Sequence, residues 1–360
     1  MLFTSEYQNS NTFKVIGLMS GTSLDGLDIC FCSFFRNAEG WKYSIDKATT
    51  VKYNSELKER LSSAFFATGV EITKLDYDYG RWIGKAVNVF LRDFDKNPDF
   101  IASHGHTIFH SPNEGFTLQI GKGSAIAVET GIPCICDFRS SDVNRSGQGA
   151  PLVPIGDKHL FSSYDICLNL GGFSNLSYEK DNSRVAFDIG PCNIILNHLA
   201  EKVGVDFDND GKIGQKGNVS IELLNKLNSL EHFQSITPKS LGREWLNEFF
   251  IPIIEDSNLS VEDKLATLYE HITDQIASCT NKINGSTVLA TGGGAHNRFL
   301  IHLLRNKSNH SIVTPDKQTV DYKEALIFAF LGVLYIINEH GALASVTGAT
   351  SDSISGCLYQ

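Results

Sequence analysis

Residues 15–28 read VIGLMSGTSLDGLD: an apolar run ends in a bend of small residues that carries one carboxylate, Asp25, and is followed by another, Asp28. Backbone N–H groups that converge at such a bend hold phosphate oxygens, and small side chains let the anion approach. Ser20, Gly21, Thr22 and Ser23 meet that demand, and Asp25 or Asp28 is placed to hold Mg²⁺ through water. A tight β-turn with no ligand is the competing reading. Three further glycine turns follow apolar runs: Gly171-Gly172, Gly190 after Asp188, and Gly292-Gly293-Gly294. One such turn means little, since glycine is the default turn residue. Four at strand ends suit a common ligand, because ligands of α/β sheets sit beyond strand ends.

The charged candidates each have two readings. Asp188 ends an apolar run in VAFDIGPCN, as a turn cap or as a base directed at a ligand. Glu324 follows Asp321 by three residues, which is also capping-box spacing. Arg139 and Arg145 share a loop with Asp137, Asp142 and Gln148. Such a loop either grips an acidic, hydroxyl-rich ligand by bidentate arginine contacts or is a solvated charged surface. His104, His106 and His110 are metal ligands or polar contacts, with no carboxylate near them in sequence. Asp206-x-Asp208-x-Asp210-Gly211 begins like a calcium loop, but its twelfth position is Gly217 where glutamate is needed.

Several common motifs are excluded. GFTLQIGKGS is one residue too long for a Walker A loop and has Gly123 where Ser or Thr belongs. Neither G-x-G-x-x-G after a strand nor the G-x-S-x-G elbow occurs. None of the eight cysteines forms C-x-x-C. Cys30/Cys32 and Cys134/Cys136 each fall on one face of an apolar strand and read as buried free thiols.

The elements that must position these residues follow from periodicity. Strands are predicted over 13–19, 27–35 and 41–51, then a helix capped by Asn54. Ile72, Leu75, Tyr79, Ile83, Val87, Phe90, Leu91 and Phe94 mark a long amphipathic helix. A short strand over 100–102 leads into a polar loop, SHGHTIFHSP, followed by strands over 117–120 and 133–137. Strand, turn, strand, turn, strand then recurs from Tyr164, over 165–170, 175–178 and 185–189, which suggests an internal duplication. A strand over 288–291 runs into the glycine triplet, and a buried helix is predicted over 321–338.

Bulk properties bound the partners. At 360 residues the chain exceeds what one core usually serves, so two domains are expected. Lys plus Arg is 31 against 41 Asp plus Glu, a net charge of −10, which argues against nucleic acid or an anionic membrane as main partner. The N-terminus lacks the basic and apolar regions of a signal peptide. The longest apolar stretch, 325–337, falls short of the roughly 20 residues of a membrane span. A soluble, cytoplasmic protein is expected.

Taken together, GLMSGTSLDGLD, SHGHTIFHSP, DFRSSDVNRSGQGAPLVP, NLGGFSN, FDIGPCN, TGGGAHN and DYKEALIFAF resemble the anhydro-N-acetylmuramic acid kinases, within the sugar kinase and actin-like ATPase superfamily. The likeness runs in order from residue 17 to 330. It implies an α/β, two-lobed actin-like ATPase (ribonuclease H-like) fold with duplicated topology and an ATP cleft between the lobes. The N-terminal lobe is expected over 1–137 plus 341–360 and the C-terminal lobe over 138–340.

The activity implied is ATP-dependent opening of the 1,6-anhydro bond of a muramic acid sugar by water, with phosphorylation of O6, in cell-wall recycling. By resemblance Ser20, Gly21, Thr22, Ser23, Leu24, Asp25, Gly26 and Leu27 hold the ATP phosphates, and Gly292, Gly293 and Gly294 lie near the nucleotide. Thr107 and Arg139 match sugar contacts, Asp188 the base that activates water, and Glu324 a second acidic residue. Asp25 is the candidate Mg²⁺ ligand. A small-molecule sugar is the expected partner, and a homodimer is compatible with the reading. Two departures stand out. His106 replaces the family's usual Gln, and VPIGD replaces VPAFH.

Overall fold

The apolar runs within 12–20 and 27–35 are largely buried and, with 40–51, fold as an antiparallel meander. It comprises β1 (Thr12–Ser20), β2 (Leu27–Asn37) and β3 (Gly40–Val51). The computed structural model describes residue 7 and residues 10–21, 24–234 and 240–360. It divides into two compact units, 1–160 with 322–360 and 161–321.

In the first unit, Asn54 caps the helix Ser55–Ser63 by accepting from the Leu57 amide at 2.8 Å. Thr68 and Glu71 form a reciprocal capping box at the start of the helix Gly69–Leu91. That helix buries Leu75, Tyr79, Ile83, Val87 and Phe90 against the sheet, the face predicted by their spacing. β4 (Phe100–Ser111) runs parallel to β1, and β5 (Phe116–Ile120) folds back on β4. β6 (Cys134–Cys136) pairs parallel with β4, and the C-terminal strand β12 (Cys357–Tyr359) pairs antiparallel with β6. The strand order is β12-β6-β4-β1-β2-β3.

SHGHTIFHSP is therefore strand rather than the polar loop expected. Residues 106–111 find a hairpin partner in β5, which satisfies backbone groups a loop would leave to water.

The second unit repeats the plan. β7 (Ile166–Leu170), β8 (Phe173–Lys180) and β9 (Ser183–Pro191) form an antiparallel meander. β10 (Thr287–Thr291) and β11 (Ser311–Val313) extend it in parallel, giving the order β11-β10-β7-β8-β9. Each unit has its own apolar core, and the duplication read from the recurring strand pattern is present.

The units divide at 160/161 and 321/322, not at 137/138 and 340/341 as the motifs suggested. Two packings explain the difference. The buried Asp142 accepts from the Gly149 amide at 2.8 Å and from the Thr347 hydroxyl at 2.7 Å, which ties the 140–149 loop to the C-terminal segment. The helix Lys317–Ile336 lies on β1 at Gly17, where an added Cβ would sit 2.0 Å from the Ala325 carbonyl oxygen. Phe330 of that helix meets Trp41 with ring centroids 5.3 Å apart.

The cysteines are free thiols. Cys30, Cys32 and Cys134 are buried as expected, while Cys136 is half-buried.

Candidate active site

The β1–β2 register pairs Ser20 with Leu27, where the two strands of the hairpin end and begin. Between them Leu24 adopts a left-handed φ of 59° and its amide donates to the Gly21 carbonyl at 3.3 Å. Asp25 is exposed. Thr22 and Ser23 lie outside the described residues.

The Ser20 hydroxyl is only 1% exposed and is already engaged. Tyr53 donates to it at 2.7 Å, Tyr79 bonds Tyr53 at 2.7 Å, and Ser20 itself reaches Nδ1 of His106 at 2.8 Å. Burial lowers His106 to about 4, so the ring that shares this hydrogen bond with Ser20 is neutral.

A second group of candidates converges on the helix Lys317–Ile336. Asp316 caps that helix, accepting from the Thr319 amide at 3.0 Å and the Thr319 hydroxyl at 2.7 Å. Asp321 and Glu324 stand beyond the first turn, so the capping-box reading of Glu324 does not hold. Glu324 is solvent-exposed, yet the protein around it displaces enough water to raise its carboxyl above the usual range. Arg139 opposes that rise and the Asp28 carboxylate adds to it. Asp28 accepts from Thr50 Oγ1 at 2.6 Å. Lys323 is buried against Asp157 at 2.7 Å.

Arg139 donates from Nε and Nη2 to Nε2 of His104, at 3.1 and 2.8 Å, and from Nη1 to the Gly149 carbonyl at 2.7 Å. Desolvation lowers it to about 10, which leaves it a cation at neutral pH. Thr107 is half-buried on β4, 3.4 Å from the Gln119 amide. The three histidines serve different partners, His110 reaching Thr117 at 3.1 Å. Among the described residues no group of three or more His, Cys, Asp or Glu forms a metal cage.

In the second unit the glycine turns gather at one end of the sheet. Asn193 ties two of them together, its amide donating to Gly171 O at 3.1 Å and its Nδ2 to Leu170 O at 2.7 Å. Gly292 adopts φ +82°, and a Cβ there would stand 2.4 Å from Asn169 Oδ1. Gly292 and Gly294 are therefore glycine because β7 passes directly beneath them, a Cβ on Gly294 standing 2.8 Å from Leu170 Cβ.

Asp188 comes to the same end on β9. Ser174 pairs with Gly190 but Asn175 pairs with Asp188, so Ile189 is an extra residue, a bulge that re-aims its neighbour. The Asp188 carboxylate accepts from the Leu241 amide at 2.9 Å and the Ser240 hydroxyl at 3.4 Å. Desolvation nonetheless raises its carboxyl above the ordinary 3.8.

The calcium-like stretch has another use. Asp208 is buried and caps the Ile213 and Gly214 amides at 2.8 and 3.0 Å, while Asp210 pairs with Arg298. Tyr53, Asn169 and Asn193 were not singled out by spacing, and Tyr79 was read only as part of a buried helix face, since their partners are distant in sequence or on another strand.

Known proteins agree with the motifs. The family model described as Anhydro-N-acetylmuramic acid kinase matches residues 13–360. The anhydro-N-acetylmuramic acid kinase of Shewanella pealeana is 36% identical, covering 98% of this chain and 99% of its own. That of Hydrogenovibrio crunogenus is 33% identical over 96% and 97%, and that of Haemophilus influenzae 35% over 96% and 97%. Among solved structures, a Streptomyces griseus ROK family glucokinase in complex with glucose and AMPPNP matches at 12% identity and a TM-score of 0.41, over 88% of this chain and 98% of that one. That last likeness is too slight to bear on the site. With the family matched from residue 13 to the end and relatives of equal length, the chain belongs to the anhydro-N-acetylmuramic acid kinase family, and it is a kinase that uses ATP.

Proposed function

We propose that the protein adds water across the C1–O6 bond of anhydro-N-acetylmuramic acid and transfers the γ-phosphoryl group of ATP to O6. N-acetylmuramate 6-phosphate and ADP are the products. The observation that carries the reading is Asp188, a carboxylate desolvated on a bulged strand end among glycine turns. A base in such a place holds a water proton more firmly than a solvated aspartate does.

The steps balance. The water oxygen bonds C1 as its proton passes to Asp188, the C1–O6 bond breaks, and O6 takes the phosphoryl group. Because that group captures O6, no separate acid is required, unlike ordinary glycoside hydrolysis with its two carboxylates. The bend at residues 20–27 and the glycine triplet are assigned to ATP, and Thr107 and Arg139 to the sugar. Exposed Asp25 suits Mg²⁺ held by one carboxylate with the phosphates and water, without a protein cage. Such an ion neutralises phosphate charge. A place in cytoplasmic cell-wall recycling fits this substrate. Among the described residues no helix is long and apolar enough to cross a membrane.

ADP release is the test, measured with anhydro-N-acetylmuramic acid, with N-acetylmuramic acid and without sugar. Release only with the anhydro sugar is expected. Turnover of the open sugar alone would mean a plain sugar kinase, and equal release without sugar a nucleotide switch.

Glu324 is the second acidic group of this reading. Glu324→Gln is expected to lower kcat by about 10²-fold while leaving the melting temperature nearly unchanged. A purely thermal defect would return Glu324 to a structural role.

A further inference from the structure

His104 and Arg139 form an unusual pair. A guanidinium usually finds a carboxylate, which fixes its plane and also cancels its charge. Here the partner is an imidazole. His104 is 5% exposed, and its Nδ1 lies 2.9 Å from the Gly105 carbonyl. A carbonyl only accepts, so Nδ1 carries the hydrogen and Nε2 of the neutral ring presents a lone pair. Both Nε and Nη2 of Arg139 converge on that lone pair. The His104 ring is fixed in turn by Phe328, at 4.5 Å between centroids, and Phe328 also lies 5.9 Å beneath Arg139 Cζ. Burial and the neighbouring cation hold His104 well below the usual histidine range, consistent with a permanent acceptor.

The arithmetic of donors is informative. Arginine has five N–H groups. Two are committed to His104 and one to Gly149, which leaves two, one each on Nη1 and Nη2. Their direction is set by the three that are fixed. The imidazole contributes no negative charge, so the carboxylate that acts on the guanidinium is that of Glu324, not a hydrogen-bonded partner.

We infer that His104 is a positioning residue for substrate recognition: it orients Arg139 without adding a negative charge of its own, so that two N–H groups of the guanidinium remain for an acidic sugar. This rests on the assignment of Arg139 as a sugar contact.

Two amide replacements separate the two ends of the ring. In His104→Gln the amide oxygen reaches the position of Nε2 and keeps an acceptor for Arg139. In His104→Asn the shorter amide keeps only the bond to Gly105. His104→Asn is expected to raise KM for anhydro-N-acetylmuramic acid at least about tenfold, the loss typical of a hydrogen bond to a charged group, with KM for ATP within about twofold. His104→Gln is expected to recover most of the loss. In an Arg139→Ala background, His104→Asn is expected to add nothing further.

Equal effects of Asn and Gln, an unchanged KM in His104→Asn, or effects that multiply with Arg139→Ala would each overturn the inference while leaving Arg139 as a sugar contact. An Arg139→Ala enzyme with unchanged sugar KM would remove that assignment and the inference with it.

Discussion

Asp188→Asn is expected to bind ATP as the parent protein does and to lose sugar phosphorylation by about 10²- to 10⁴-fold, the usual contribution of a positioned base. Asparagine keeps the shape and can still accept from the Leu241 amide through its carbonyl oxygen, so the strand end should hold. What it cannot do is take the proton from water. Nucleotide binding by calorimetry together with ADP release would check both halves. Retained turnover would mean that another group is the base.

The raised pKa of Asp188 adds a pH signature. Activity needs the ionised form, so the acid limb of kcat/KM should lie above the ordinary 3.8 of an aspartate. For stability the sign is opposite to that of a salt-bridged carboxylate. The folded state disfavours ionisation here, so the contribution of this group falls as pH rises from the unfolded value through the raised folded one. Asp188→Asn should flatten that part of the stability profile, which urea unfolding at several pH values would read.

The second large effect is expected at Gly17. A Cβ there would sit 2.0 Å from the Ala325 oxygen and 2.9 Å from both the Ala325 carbonyl carbon and the Ala329 Cβ. Two of these three are backbone atoms, which cannot swing aside as a flexible side chain would. Gly17→Ala must push the helix Lys317–Ile336 off β1 or strain both. A loss of about 3 kcal/mol or more is expected in urea unfolding, at the upper end for overpacking.

Glu324 precedes Ala325, so the fraction that stays folded should be impaired as well. A displacement of about 1 Å at a reacting group costs on the order of 10²-fold in rate. Gly69→Ala is the control, since nothing lies within 4 Å of its added Cβ and it sits at a helix start. A stable, active Gly17→Ala protein would mean that the close approach is not what places Glu324.

Much of the fold was legible because its signals are local. The meander strands, the cap at Asn54 and the apolar face of the helix Gly69–Leu91 all follow from neighbours a few residues apart. The repeated strand pattern was enough to foresee two units of like order. β4 was read too short because His104, Gly105 and His106 look like loop residues, and only pairing with β5 makes the segment a strand.

The unit boundary was misplaced for a related reason. The contacts of Asp142 with Thr347, and of Gly17 with Ala325, span most of the chain. At the site, the strand-end position marked Asp188. Its hold on Leu241, 53 residues away, was invisible, as was the chain from Tyr79 through Tyr53 and Ser20 to His106.

The central claim is that one water opens the sugar ring while ATP phosphorylates the oxygen set free. Turnover of anhydro-N-acetylmuramic acid in ¹⁸O-labelled water, quenched before the anomeric hydroxyl exchanges with solvent, tests it most directly. The account predicts one ¹⁸O atom at C1 of the phosphorylated product and none in its phosphate. Product without label at C1, or label in phosphate released from ATP with the sugar left closed, would contradict it.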